Sequence, residues 1–206
     1  MKKLILAIGL ILCTNGISQT ITDNLFETDS SITFYLFDII NDYRKLNGIP
    51  SLEFDSLATR SCKHHTEFIS IYDLSSHDES VPSGKKDLVK LKINHPLDRI
   101  KYFGIEMNGG MGENCLNITG CSNFFKNEID PEEALKWSHI WKKSISDGKL
   151  NSKAAAYCIF YGWKYSPGHN RLMLDPEKKK GSVYVKAYDK QDGGPIRICS
   201  TFLSTQ

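Results

Sequence analysis

The chain has 206 residues, with 26 basic and 24 acidic side chains and a hydrophobic content of 40%. This length suits one domain of ordinary size plus a leader. The composition is that of a globular protein, without a low-complexity tract or a repeat. Two of the basic residues, Lys2 and Lys3, lie in the leader, so the remaining charges balance. That balance argues against a nucleic-acid binder that works by broad phosphate neutralisation.

Residues 1–18 have the pattern of a secretory signal peptide. Two lysines precede an apolar run over residues 4–13, which is too short to span a bilayer. Small residues before Gln19 suit a cleavage site. Lipid anchoring is disfavoured, because Leu12 rather than a small residue precedes Cys13. The sequence therefore predicts a secreted or periplasmic protein with no transmembrane segment after cleavage.

The first part of the mature chain reads as a lead-in followed by two helices. Residues 19–31 are polar and predict a flexible lead-in, and the folded domain is expected to cover residues 32–206. A first helix is predicted over residues 32–47 from apolar residues at helical spacing, namely Leu36, Ile39, Ile40, Tyr43 and Leu46. Asp55 is a natural N-cap for a second helix. Its predicted buried stripe is Leu57, Ala58, Ser61, Cys62, His65, Phe68 and Ile69.

Two adjacent histidines, His64 and His65, lie in this second helix. Adjacent helical side chains face different directions and do not readily chelate one ion together. The pattern predicts that His65 is packed in the interior and that His64 lies at the rim.

The middle of the chain alternates short elements with glycine-rich turns. Residues 96–104 are expected to form a short amphipathic helix closed by Gly104. Glycines precede Glu113, which is placed at the junction of a loop and a short strand, where side chains often face a cleft. Pro131 suits the first position of another helix. Residues 154–161 fit either a helix or an apolar strand.

The segment at residues 163–174 carries a histidine at a predicted helix start. Ser166 suits an N-cap and Pro167 suits the first turn. His169 then falls in that first turn, where the positive end of the helix dipole favours a neutral imidazole. Such an imidazole can act as a ligand or a base.

The C-terminal part predicts a β-hairpin. Residues 181–189 and 195–203 alternate apolar and polar side chains on either side of a glycine-containing turn. Helices first and short strands last predict an α+β fold rather than a parallel array of strand–helix units.

Cysteine usage fits an exported protein, in which disulfides are chemically allowed. Cys115 and Cys121 bracket a short loop and are the predicted disulfide, and Cys158 with Cys199 is a second pairing. Cys62 lies among helical residues and is expected to be a buried thiol. The sequence has no Cys-x-x-Cys spacing, which argues against a zinc site made of thiolates.

Six short segments occur in an order shared with a known family. They are residues 41–44 with Gly48, Leu52 with residues 55–58, residues 76–78, residues 98–99, residues 112–114, and residues 163–169 with Gly181. Over residues 32–203 they resemble the CAP superfamily (cysteine-rich secretory proteins, antigen 5 and pathogenesis-related proteins) in its bacterial SCP-domain form. The resemblance implies an α-β-α sandwich, with a small antiparallel sheet of three or four strands between helical layers.

The resemblance also implies a site. Family members place two histidines and two acidic residues around one central cleft. His77 and His169 match the two histidines, and Glu113 matches the glutamate of the Gly-Glu-Asn motif. The second acidic residue has no secure counterpart, and no motif supports Glu132 or Glu133 in that role. Residues 140–160 are longer than the compact bacterial pattern and are expected to reshape the cleft wall.

Two interpretations of this cleft follow. Two neutral imidazoles and a carboxylate suit a divalent ion such as Zn²⁺ with one position left for water. Alternatively, Glu113 bonds to His77 or His169 and stabilises the cleft floor. The resemblance favours an exported, non-catalytic module that binds a small molecule, lipid, protein or ion. The alternative is a divalent-metal-dependent hydrolase acting on peptides or cell-envelope material. Serine hydrolysis is disfavoured, because the chain has no Gly-x-Ser-x-Gly elbow.

Overall fold

A computed structural model describes residues 29–88, 91, 93–118, 131–147, 150–188 and 197–206. The predicted leader at residues 1–18 and most of the predicted lead-in lie outside these residues. The described elements, in chain order, are α1 (Asp29–Leu46), β1 (Glu53–Phe54), α2 (Ser56–Tyr72), α3 (Pro96–Phe103), β2 (Met111–Ile118), α4 (Pro131–Ser146), α5 (Ser152–Lys164), α6 (Pro167–Met173), β3 (Lys180–Tyr188) and β4 (Arg197–Thr205). None of the described helices is both long and apolar enough to cross a membrane.

Helix α1 buries one stripe, as its periodicity predicts. Ile32, Leu36 and Ile40 lie one helical turn apart and are fully buried. The next turn places Arg44 in the same stripe, where it is also fully buried. The prediction that Leu46 belongs to this stripe is wrong: its side chain is 84% exposed, at the last residue of the helix.

Helix α2 begins and packs as predicted, with one exception. Asp55 caps it by accepting hydrogen bonds from the backbone N–H groups of Leu57 and Ala58. The predicted stripe is buried except at its first member, Leu57, which is 36% exposed. His65 is fully buried and the side chain of His64 is 14% exposed, in agreement with the packed and rim positions expected for them.

The two predicted caps differ, and this gives a test. Ser166 occupies the N-cap position of α6 but its side chain makes no capping hydrogen bond, so its predicted role as a cap is wrong.

We expect Asp55→Ala to lower the free energy of unfolding by about 1 kcal/mol, because two backbone N–H groups lose their acceptor. Ser166→Ala is expected to change it by less than about 0.5 kcal/mol. Urea denaturation of both variants checks the contrast, and equal losses would contradict it.

The four described strands form one sheet in the order β1-β3-β4-β2. The predicted hairpin is confirmed: β3 and β4 pair antiparallel, with Val183 opposite Phe202. Strand β2 pairs antiparallel with β4 and places Glu113 opposite Leu203. The three long strands form the expected small antiparallel sheet, and the two-residue strand β1 adds a parallel pairing with β3. Parallel pairing needs a long connection, and most of the chain lies between these two strands.

Alternation along β3 shows the layers of the sandwich. Val183 and Val185 join the core formed with α1 and α5, whereas Ser182 and Tyr184 face α2. Successive side chains of a strand point to opposite faces, so helices cover both faces of the sheet. The fold is the α+β sandwich that was expected. The sequence of residues 154–161 fits either a helix or a strand. The structure places these residues in α5.

The cysteine pairings predicted from the sequence are wrong. Cys115 lies inside β2, is buried, and is a free thiol; Cys121 lies outside the described residues. Cys199 also retains its thiol, which donates to the carbonyl of Thr66 at 3.5 Å. Both side chains face the α2 side of the sheet, where they pack with Ile69. Cys62 is a buried thiol, as expected.

Candidate ligand-binding site

The structure brings His77, Glu113 and His169 to one cavity of about 630 Å³. Its walls are formed by the loop after α2, the edge strand β2, helix α6 and the turn that follows α6. The lining residues are His77, Gly112, Glu113, Asn114, Gly168, His169, Arg171, Leu172 and Asp175. Side chains far apart in the sequence therefore share one hollow at the sheet edge.

Glu113 is the buried anchor of this site. Its side chain is 4% exposed, and Arg99 on α3 donates to its two carboxylate oxygens at 2.9 and 2.7 Å. The same guanidinium donates to the backbone carbonyl of His77 at 3.1 Å. His77 Nδ1 lies 3.1 Å from Glu113 Oε1. Arg99 thus fixes both the carboxylate and the loop that carries His77.

A second carboxylate, Glu79, extends the network away from the cavity. Its oxygens lie 2.9 Å from His64 Nε2 and 3.0 Å from His65 Nδ1. Arg99 Nη1 lies 3.3 Å from the same carboxylate. His65 Nε2 meets the backbone carbonyl of Ser76 at 2.8 Å. Buried ionisable groups therefore contact the loop at residues 76, 77 and 79.

These contacts set the charge of His77. Contacts with the Cys115 thiol and then with the Glu113 carboxylate raise the pKa of His77 to about 10. The Cys115 Sγ lies 3.8 Å from Nδ1 and 4.0 Å from Nε2 of that ring. Burial raises the pKa of Cys115, but its contacts with His65 and His77 outweigh burial and lower it overall. His77 is accordingly an imidazolium at neutral pH, half-exposed at the cavity wall.

His169 is the contrasting, neutral member of the site. Burial, and then the positive charge of His77, lower the pKa of His169. Asn114 donates to the backbone carbonyl of His169 at 3.1 Å and so ties α6 to β2. The Nδ1 atom of His169 is buried and has no hydrogen-bond partner among the residues that the structure describes. A buried polar atom of this kind is normally satisfied by a bound molecule or an ordered water.

Gly112 permits the close approach of α6 to β2. A Cβ atom built on Gly112 would overlap the side chain of Leu172, whereas one built on Gly168 would meet nothing within 4 Å. The glycine of the Gly-Glu-Asn motif is thus explained by packing against α6.

The donor atoms do not form a metal centre within the residues that the structure describes, where no group of three or more His, Cys, Asp or Glu side chains is placed to hold an ion. The carboxylate of Glu113 is directed to Arg99 and His77. This arrangement matches the interpretation in which Glu113 bonds to a histidine and stabilises the cleft floor.

Two acidic residues without motif support and one segment considered from the sequence do not reach the cavity. Glu132 and Glu133 are exposed on α4 and do not line it. The expectation that residues 140–160 reshape the cleft wall is wrong for the described part of that segment. It forms the end of α4 and most of α5, which packs in the main core.

Sequence reasoning missed the residues that hold the site together. Arg99 belongs to one of the six segments shared with the family, but no sequence pattern indicates its role. No sequence pattern indicates Glu79. Their signal is burial: both are charged, and their side chains are 0% and 1% exposed. Because charged side chains are buried only with partners, tertiary structure is needed to identify them.

The lowered pKa of Glu113 predicts an acid-sensitive fold. Burial raises it, but the hydrogen bond with His77 and the charge of Arg99 lower it below its ordinary 4.5. The unfolded chain then takes up protons before the folded chain does, so stability is present above pH 4.5 and is lost as the pH falls. We expect Glu113→Gln to flatten this decline, measured as the free energy of urea unfolding against pH. The exposed Glu132→Gln should keep the native profile, and a native slope in Glu113→Gln would contradict the assignment.

No family model matches the sequence, and no curated protein matches it. Among solved structures, the chain is similar to an extracellular protein containing an SCP domain from Bacillus anthracis, with a TM-score of 0.52 and 17% identity, over 86% of this chain and 41% of that chain. It is also similar to an outer surface protein of Borrelia burgdorferi, with a TM-score of 0.47 and 15% identity, over 83% of this chain and 90% of that chain. The chain thus corresponds to less than half the length of the Bacillus anthracis protein.

The layered sandwich and the likeness to the Bacillus anthracis protein define the class of fold. The chain shares the fold of the SCP-domain protein from Bacillus anthracis, with helices on both faces of a four-stranded sheet. The six sequence segments that resemble the CAP superfamily predict the same fold. Three of these segments contain His77, Glu113 and His169.

Proposed function

We propose that the protein is an exported CAP-fold module whose cavity binds a small ligand without transforming it. The observation that carries this proposal is the convergence of His77, Glu113 and His169 on one hollow of about 630 Å³. That volume falls in the range of small-molecule sites, which combine apolar walls with a few placed polar groups.

Export is supported by the sequence of the first residues. Two lysines followed by an apolar run over residues 4–13 have the order of a secretory leader. The leucine before Cys13 disfavours a lipid anchor, so a secreted or periplasmic location is proposed.

A binding role, rather than a catalytic one, is supported by how the polar groups are engaged. A carboxylate that acts as a general base must be free to accept a proton near the operating pH. Glu113 instead accepts two hydrogen bonds from Arg99, and its pKa is lowered. The hydroxyl of Ser76 bonds to the backbone of Asp78 rather than to an imidazole.

The test is a fragment screen on the purified protein, followed at the histidine rings by NMR. Fragments that bind are expected to shift the ring signals of His77 and His169 together, and to leave His139, exposed on α4, unchanged. In variants, binding is followed by the NMR signals of the fragment itself. It should be lost in the His77→Gln, His169→Gln double variant and kept in His139→Gln. Fragment binding that survives the double variant would contradict the proposed site.

The same preparation tests the hydrolase alternative. Stoichiometric zinc that survives dialysis, is lost in the double variant, and supports hydrolysis of a peptide or cell-envelope substrate would overturn the non-catalytic proposal. Fragment binding without zinc or turnover would support it.

A further inference from the structure

We infer that the cavity selects ligands that carry an oxyanion, either a carboxylate or a phosphate group, with Arg171 as its main recognition residue. This inference rests on the proposed function, because it names the class of ligand for the same cavity. It follows from which charges at the cavity wall are already compensated and which are not.

The two carboxylates that line the cavity are both compensated from behind the wall. Glu113 is held by the fully buried Arg99, at 2.7 Å. Asp175 Oδ2 lies 3.4 Å from Lys178 Nζ, and that lysine is 6% exposed. Neither Arg99 nor Lys178 lines the cavity. Each negative charge at the wall is therefore paired with a cation inside the protein and is not available to a ligand in the cavity.

The positive groups at the wall are less engaged. Arg171 lines the cavity, is exposed, and has no hydrogen bond or ion pair with the residues that the structure describes. Its charge is permanent, and a guanidinium matches the geometry of carboxylate or phosphate with two parallel hydrogen bonds. Across the cavity, His77 uses Nδ1 for Glu113, and Nε2 contacts only Cys115 Sγ within the described part of the chain.

The two histidines at the wall do not cancel this charge. The positive charge that the raised pKa gives His77 at neutral pH is paired with Glu113, whose Oε1 lies 3.1 Å from His77 Nδ1. His169 lines the cavity as a neutral imidazole, because burial and then the charge of His77 lower its pKa. A cavity with an unpaired guanidinium, and with its carboxylates compensated, favours an anion over a neutral or cationic ligand.

The experiment compares isosteric probes by titration on the purified protein. Benzoate and benzamide have the same shape and differ in charge, and phenyl phosphate provides the phosphate arm. We expect benzoate or phenyl phosphate to bind at least about tenfold more tightly than benzamide, which corresponds to about 1.4 kcal/mol. Whichever anion binds more tightly identifies the group. The preference should weaken as the salt concentration rises.

The matched variants are Arg171→Gln and Arg60→Gln, since both arginines are exposed and Arg60 lies away from the cavity, over Phe103. Arg171→Gln should weaken anion binding about tenfold and reduce the preference for benzoate over benzamide, without changing the unfolding midpoint. Arg60→Gln should change neither.

Two failures are distinguishable. Equal binding of benzoate and benzamide, or neutral fragments binding while neither anion does, would overturn the oxyanion inference and leave the ligand-binding proposal standing. If no probe and no screened fragment shifts His77 or His169, both are overturned.

Discussion

Replacing Arg99 with methionine is expected to lower the free energy of unfolding by about 3–5 kcal/mol at neutral pH. The guanidinium is fully buried and is shared between Glu79 and Glu113, whose side chains are 1% and 4% exposed. Without it, two carboxylates remain buried with only histidines as partners. Breaking a buried ion pair by removing one member costs more than the pair contributes, because the remaining charge stays desolvated.

Urea denaturation of Arg99→Met, with exposed Arg171→Met as control, measures this loss. The difference from the native protein should narrow as the pH falls below 4.5. Without the charge of Arg99, which lowers the pKa of Glu79 and of Glu113, the two carboxylates of the variant take up protons more readily than those of the native protein. A loss no greater than that of Arg171→Met would show that Arg99 does not hold the site together.

A loss of at least about 3 kcal/mol is also expected for Arg44→Met, because hydrogen bonds to charged groups contribute about 1.5–3 kcal/mol each. Arg44 is fully buried in α1. It donates to the carbonyls of Pro50, Met173, Asp175 and Lys178 at 2.7–3.0 Å. These bonds join α1 to the end of α6 and the turn that carries Asp175. Methionine would leave four carbonyls without their donor.

Arg44→Lys gives the graded control, since lysine keeps the charge but cannot reach four acceptors with a planar fork. We expect an unfolding free energy between those of the native protein and Arg44→Met. A lysine variant as stable as the native protein would show that charge alone suffices. An unperturbed methionine variant would contradict the role of these hydrogen bonds.

Local features of the fold were predictable because their causes are local. Asp55 begins α2, Gly104 ends α3 with a positive φ of 70°, and β3 and β4 form the predicted hairpin. Each depends on residues within a few positions of the feature. The parallel pairing of β1 with β3 depends on two segments far apart in the chain, so periodicity does not reveal it.

The site was predictable only in part, for the same reason. The family resemblance identified His77, Glu113 and His169, and the structure places all three at one cavity. It did not identify Arg99 and Glu79, whose importance comes from burial and shared partners. The cysteine pairing failed because loop length was used as evidence: Cys115 lies inside β2, with its side chain against the α2 layer.

The measurement that tests this account most directly is the NMR titration of the His169 ring in the native protein and in His77→Gln. Burial, and then the charge of His77, lower the pKa of His169 below its ordinary 6.5. Removing the imidazolium at position 77 should therefore raise the pKa of His169, while His139→Gln leaves it unchanged. A His169 titration that is the same with and without His77 would show that the two side chains do not face one another across a cavity.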